Sequence, residues 1–305
     1  MDIRQLSYLV ALAREKHFTR AADACGVTQP TLSGRIQQLE QELGVPIVIR
    51  GNRYIGLTQE GERVLKWAQT ILEDVDGLRS DLAHAADAPL GRMVIGAIPS
   101  ALPTLAPLTD AMRRKFAKLT FTVLSMSSEE IRRALEDFSI DVGITYLDNE
   151  PIDLALSQPL YMERYRLFVR DDHPLAGRET IEWAEAARHP VSLLTPNMQN
   201  RRIIDSAFRK ANAQVEPELE SNSIVNLYTH VQMAGLATVL PEIYIGLMGG
   251  ETRIRAIPLV SPFIEHSVGL VAHDRDPLPQ VVKAMLDLAD KYKLPGLMGS
   301  ANLVK

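Results

Sequence analysis

Residues 19–43, TRAADACGVTQPTLSGRIQQLEQEL, read as two short helices joined by a tight turn. Thr19 suits an N-cap, and Ala21, Ala22 and Cys25 make a small apolar face at helical spacing. Gly26 ends that helix where the chain must turn, because only glycine takes positive φ cheaply. Thr28 can cap the next helix, and Pro30 lies in its first turn, where the missing N–H breaks no bond. Leu32, Ile36, Leu39 and Leu43 recur at spacings of 4, 3 and 4, so one side packs inward. Gln29, Thr31, Ser33 and Arg35 are left pointing outward near the helix start. Short polar side chains and an arginine there are what reading a DNA major groove requires. An ordinary helical hairpin with a solvated face is the alternative on this stretch alone.

The flanks decide between them. Ahead lies a helix over 2–15 with Leu6, Leu9, Val10 and Ala13 on one face. Behind lies VPIVIRGNRYIGLT, 45–58, two short β runs around Gly-Asn with Arg50 and Arg53 beside the tip, a hairpin signal. Helix, helix–turn–helix and basic wing describe a winged helix-turn-helix. With MDIRQL at 1–6, FTRAA at 18–22, TQPTLS at 28–33, LEQELG at 39–44 and LTQEG at 57–61, the whole chain resembles a LysR-type transcriptional regulator. It departs from the family at Ile47-Val48, where a Leu-Phe pair is usual, and at Gly34, inside the second helix of the motif. The resemblance implies promoter DNA as partner. Its contacts would come from Gln29, Pro30, Thr31, Ser33 and Arg35 on the recognition helix and from Arg50 and Arg53 on the wing.

Composition fits such a chain. At 305 residues, length favours two or three compact units, and the 46% hydrophobic and 23% charged fractions are ordinary for a globular protein. A single cysteine, Cys25, excludes a disulfide framework and a cysteine-rich metal site. The seven histidines, at 17, 84, 173, 189, 230, 266 and 273, lack metal-ligand spacing. Neither a signal-peptide apolar core nor a membrane-length apolar run is present, so a cytoplasmic location is expected. Residues 1–58 carry seven Lys/Arg against five acids, a net +2, and leave the rest of the chain at −7. A mildly basic head on an acidic body directs the head to phosphate, and two heads acting together would strengthen so weak a charge.

An assembly element follows the head. Val64, Ala68, Ile71, Val75, Leu78 and Leu82 repeat at 4, 3, 4, 3 and 4, the seam of a coiled coil. A homodimer through this helix is expected, with packing on the chain's own effector domain as the alternative; the resemblance implies a homotetramer of two such dimers. DAPLG at 87–91 then reads as a hinge.

From Arg92 the pattern turns to alternating strands and helices, hence an α/β region with mainly parallel strands. Strands are expected near 92–98, 119–124, 141–145, 164–170, 191–195, 236–240, 253–259 and 267–272. The resemblance implies two α/β subdomains like those of periplasmic solute-binding proteins, crossed twice by the chain, near 160–164 and 265–268. The expected domains are a winged helix-turn-helix head at 1–58, a linker helix at 59–88 and an effector-binding region at 89–305. In that region subdomain I is 89–161 plus 268–305 and subdomain II is 162–267.

An effector would bind between the subdomains, where strand ends and helix starts converge. Ser100, Ser125, Ser127, Thr145, Thr195 and Ser223 occupy such positions, although helix capping alone accounts for any one of them. Helix starts favour an anion without a dedicated Lys or Arg. TYLDNEP at 145–151, with LSMSS at 124–128, is similar to family members placed beside formate dehydrogenase operons. That likeness implies formate or another small carboxylate as effector. Arg201 and Arg202 could pair with a carboxylate, but a solvated helix face is the favoured reading. No nucleophile elbow, metalloprotease pair, P-loop or dinucleotide fingerprint is present, so neither an enzyme nor a cofactor is expected. A free solute-binding protein would explain only the C-terminal two-thirds.

Overall fold

Asp2 begins the chain by capping its first helix reciprocally. In the computed structural model, which describes residues 1–50, 54–83, 91–150, 152, 155–247 and 253–291, the Asp2 carboxylate accepts from the Gln5 N–H at 2.9 Å. The Gln5 side chain accepts from the Asp2 N–H at 2.7 Å. Helix α1 then runs over Ile3–Glu15. Helix α2, Phe18–Ala24, starts with His17 at its N-cap, so Thr19 lies inside the helix and not at the cap expected of it. Gly26 takes φ of +66°, as a turn here demands. Thr28 holds the N-cap position of α3, Gln29–Leu43, but its hydroxyl bonds the Thr31 hydroxyl at 2.8 Å instead of a backbone N–H. Leu32, Ile36 and Leu39 are fully buried with Leu9, Leu12 and Ala21. Leu43, expected on the same face, is exposed at the helix end.

A hairpin of β1, Val48–Arg50, and β2, Tyr54–Leu57, follows. Ile47 and Val48 are buried, and Glu40 accepts from both their N–H groups at 2.9 and 3.0 Å. Helix α4, Gln59–Ala83, is capped by Thr58, whose hydroxyl accepts from the Gly61 N–H at 2.8 Å. Gly61 lies so close to the Ile47 carbonyl that an added Cβ would fall 2.1 Å from its oxygen. Two parts of the Leu-Thr-x-x-Gly motif thus have a packing reason. The first half of the expected seam packs within the head: Ala68 is fully buried, and Val64 and Ile71 pack against the same core. Further along, Leu78 is 59% exposed and Val75 half-buried, while the Leu82 side chain lies outside the described residues. Apart from Gly91, the expected hinge also lies outside them.

The chain forms two compact units, Met1–Pro89 and Leu90–Lys305. The second opens with β3 (Arg92–Ala97), a 3-10 turn (Pro99–Thr104), α5 (Leu105–Lys115), β4 (Thr120–Ser125), α6 (Ser128–Glu136) and β5 (Val142–Tyr146). Then come β6 (Ala155–Arg170), β7 (Ile181–Glu182), α7 (Trp183–Ala186), β8 (Val191–Leu194), α8 (Gln199–Lys210), β9 (Leu219–Ser221) and α9 (Ile224–Ala234). It closes with β10 (Ala237–Pro241), α10 (Tyr244–Leu247), β11 (Ile254–Val260), β12 (Glu265–His273) and α11 (Gln280–Lys291). The strand order is β4-β3-β5-β12-β6-β10-β8-β9, with β11 pairing β6 and β7.

Strands β3, β4 and β5 run parallel, as do β8, β9 and β10, but β6 and β12 run antiparallel to their neighbours in that order. The sheet is therefore mixed where mainly parallel strands were expected. The cause is β6, 16 residues long. Its first part, to Arg164, pairs with β12, and from Tyr165 onward it pairs with β10 and β11. One strand thus serves two sheets, which makes it the crossing between two subdomains.

Replacing Gly61 by alanine places a methyl group against an immovable carbonyl. Gly61→Ala should destabilise the head by about 1–3 kcal/mol, as overpacking typically does. A denaturant or thermal midpoint equal to wild type would contradict this packing.

Candidate functional site

The exposed face of α3 follows from its buried Leu32–Ile36–Leu39 side. With that side inward, Gln29, Pro30, Thr31 and Arg35 are exposed and Ser33 half-exposed. The Arg35 guanidinium reaches Gln38 at 3.2 Å and Asp2 at 3.6 Å, so exposed partners hold it loosely. Gly34 is exposed on the same helix, with nothing within 4 Å of an added Cβ. Arg53 and the Arg50 side chain lie outside the described residues.

In the second unit, the ends of β3, β4 and β8 and the starts of α6, α8 and α9 border a cleft of about 450 Å³. Ser125, Glu130, Asn197, Asn222, Ser223 and Tyr244 give it a polar lining, and Leu102 and Ile224 an apolar one. Ser127 and Glu130 form a reciprocal cap on α6, and Ser223 caps α9 through the Asn226 N–H.

Beside this cleft lies a buried polar layer centred on Glu163, which is fully buried on β6 just before the strand changes sheets. Tyr146 donates to its Oε1, Tyr161 to its Oε2 at 3.2 Å, and the Asn200 amide approaches Oε1 at 3.5 Å. The Tyr146 hydroxyl in turn accepts from Asn200 at 3.0 Å and Tyr165 at 3.3 Å, with Ser100 at 3.4 Å. Burial pushes the Glu163 carboxyl up, and the hydroxyl donors around it only partly oppose that. Burial likewise holds Tyr146, Tyr161 and Tyr165 well above the ordinary phenol range, the nearby Glu163 adding to it.

The layer ties the subdomains together. Asn200, in the first turn of α8, reaches Tyr146 on β5; Gln199 beside it bonds Ser128 at the start of α6; and Tyr244 donates to the Pro99 carbonyl at 2.9 Å.

Six residues expected to meet an effector therefore divide. Ser125 and Ser223 line the cleft, Ser100 is buried in the polar layer, Ser127 caps α6, Thr145 is buried on the opposite face of β5 from Tyr146, and the hydroxyls of Thr145 and Thr195 are buried without a partner. Arg201 is not on a solvated face as expected. It is buried, bonding Asp205 at 2.9 Å, Glu220 at 2.6 Å and the Leu194 carbonyl at 2.8 Å. Arg202 is exposed and paired with Glu150. Glu163, Tyr161, Tyr165 and Gln199 were missed. The available signal was Tyr161-x-Glu163-x-Tyr165, which places three polar-tipped side chains on one face of a strand.

Comparison with known proteins agrees with the architecture. The family model for the bacterial regulatory helix-turn-helix protein, lysR family, matches residues 3–62, and that for the LysR substrate binding domain matches residues 86–292. The DNA-binding transcriptional dual regulator OxyR of Escherichia coli is 31% identical over 279 residues, covering 91% of each chain. A hydrogen peroxide-inducible genes activator of Haemophilus influenzae is 29% identical over 289 residues, covering 91% of this chain and 92% of that one. A full-length OxyR variant from Pseudomonas aeruginosa superposes with a TM-score of 0.76 at 27% identity, over 98% of this chain and 100% of that one. CbnR in complex with its target DNA shares the fold, with a TM-score of 0.67 at 19% identity over 96% of this chain and 100% of that one. No described helix is long and apolar enough to cross a membrane.

Because the folded carboxyl of Glu163 is raised above its ordinary 4.5, the folded state holds a proton that the unfolded chain gives up. That contribution to stability is complete below pH 4.5 and is lost as the pH rises through the raised folded value. The stability difference between wild type and Glu163→Gln, measured by denaturant unfolding, should therefore fall as pH rises above 4.5. A difference independent of pH would show that the buried carboxyl titrates normally.

Proposed function

The chain belongs to the LysR family of bacterial helix-turn-helix regulators, and on that premise we propose a promoter-binding regulator switched by a small molecule held between its two α/β subdomains. It is a DNA-binding transcriptional regulator with an effector-binding region, and its relatives are regulators, not enzymes. The observation that supports the switch is the set of direct bridges between the subdomains, Tyr146–Asn200, Ser128–Gln199 and Pro99–Tyr244, beside an open polar cleft. A molecule binding there changes the balance between two arrangements only by its differential affinity for them, of the order of 1–3 kcal/mol.

The relatives' names raise peroxide as the signal. Peroxide is read chemically through thiolate oxidation, and residues 90–305 contain no cysteine. The one thiol, Cys25, lies in the head, where burial pushes its pKa up and leaves little thiolate. This favours reversible binding over thiol chemistry. For the effector's nature, the helix starts at Ser128 and Gln199 favour a small carboxylate such as formate, whereas the Glu163 carboxyl in the same layer opposes one.

On DNA, Gln29, Thr31, Ser33 and Arg35 are assigned to the major groove, Pro30 to setting the helix start, and Arg50 and Arg53 to the phosphates. Gln29→Ala should cost about 1–3 kcal/mol on the specific promoter and less on random DNA, whereas Arg53→Ala should weaken both alike and reduce the salt slope by about 1. Equal losses on specific and random DNA for Gln29→Ala would contradict base reading.

Two or more heads per assembly are proposed through α4, leading to a dimer and a tetramer of two dimers. Trp67 and Leu78 are 69% and 59% exposed on it. Changing both to glutamate should lower the sedimenting mass while leaving the thermal midpoint of the head intact. Unaltered mass would place the interface elsewhere.

Filling the cleft tests the switch itself. Ser125→Phe should abolish the inducer response of a promoter reporter while promoter affinity stays within about twofold, because the head is a separate unit. A normal response in this variant would rule out the cleft.

A further inference from the structure

The charges around the cleft run against the anion that helix starts alone would suggest. Among the described residues lining the cleft, the one charged side chain is Glu130. The nearby cations are already engaged, Arg201 by Asp205 and Glu220 and Arg202 by Glu150. Among the described residues, no lysine or arginine pairs with Glu163. Each helix start supplies about half a positive charge, and an ionised Glu163 supplies a full negative one one hydrogen bond away from α8. The seat an external anion would take is thus held by the chain's own carboxyl.

One unpartnered atom points the same way. Asn200 Oδ1 is buried without a partner, on the residue whose amide nitrogen already reaches Tyr146 and Glu163. An amide oxygen can only accept, and Asn200 is 4% exposed, so bulk water does not satisfy it. A buried acceptor beside an acid that no described lysine or arginine pairs calls for a ligand with N–H donors.

We propose that the effector carries a small cationic head of the amidinium or ammonium class, received by Glu163 and Asn200, an inference that rests on the cleft reading above. Pro99, Met198 and Tyr244 line the cleft and stand directly beside Ser100, Gln199 and the layer, so the head enters past the Tyr244–Pro99 bond. Once there it donates to the Glu163 carboxyl in place of Tyr146, which releases the Tyr146–Asn200 tie between the subdomains. The groups facing Glu163 are Tyr146 from β5, Tyr161 and Tyr165 from β6, Tyr244 from α10 and, across the β6–β12 pairing, His266 with Asp148 behind it. The four phenols are held neutral by burial, which leaves Glu163 as the acid of the layer.

Acetate, acetamide and acetamidinium share one shape and carry charges of about −1, 0 and +1, which isolates the sign of the site at neutral pH. Titrated into the full-length protein at constant ionic strength, acetamidinium should bind at least about tenfold more tightly than acetamide, with acetate weakest. In Glu163→Gln, the acetamidinium affinity should drop to that of acetamide. Acetate binding tightest to wild type would overturn the cationic class and leave the cleft reading standing. Binding by none of the three would overturn both. The wild-type order decides the matter even if Glu163→Gln folds poorly.

Discussion

A carboxyl group taken out of water at the point where one strand passes between two sheets is the constraint around which the effector region is arranged. Leaving a carboxylate there alone would be prohibitively costly, so the fold surrounds it with donors: Tyr146 and Tyr161 directly, and Asn200 at a longer reach. Those donors come from different subdomains. Tyr146 ends β5, and Asn200 starts α8 on the other side. Satisfying one buried group therefore brings two subdomains into register, and anything that competes for it separates them. Stability and switching share the same atoms. This is the behaviour expected of a buried polar network, where a full set of partners specifies one arrangement and a missing partner penalises it.

The head is organised on different terms. Its core is apolar apart from the buried Gln5, and its polar contacts lie at turns and caps: Asp2 with Gln5, Glu40 with the Ile47 and Val48 amides, Thr58 with Gly61. Such contacts fix where helices begin without making the unit responsive. A stable reader beside a polar, adjustable receiver suits a regulator in which one part recognises DNA and another recognises a metabolite.

Most of the head was legible from the sequence because its determinants are local. Helical spacing, the positive-φ Gly26, the Gly-Asn hairpin and the Thr58 cap each act within a few residues. The misses there are matters of position, such as His17 and not Thr19 at the start of α2. The effector region was legible as alternating strands and helices, but β6 was seen only from residue 164 because its first half, ALSQPLYMER, is too polar to read as a buried strand. Its burial comes from pairing with β12, about a hundred residues later in the chain. The same long-range pairing hides Glu163 and buries its tyrosines. Arg201 was misread for a related reason: its partner Glu220 lies on a neighbouring strand, which helical spacing cannot reveal.

Infrared difference spectroscopy of the full-length protein against Glu163→Gln reads the state of the central carboxyl directly. The account predicts a protonated carboxylic-acid carbonyl band that persists in wild type above the ordinary carboxyl range, is absent from the variant, and gives way to a carboxylate band when a cation occupies the cleft. A wild-type spectrum showing Glu163 already ionised, with no acid band at any pH above the ordinary carboxyl range, would contradict it.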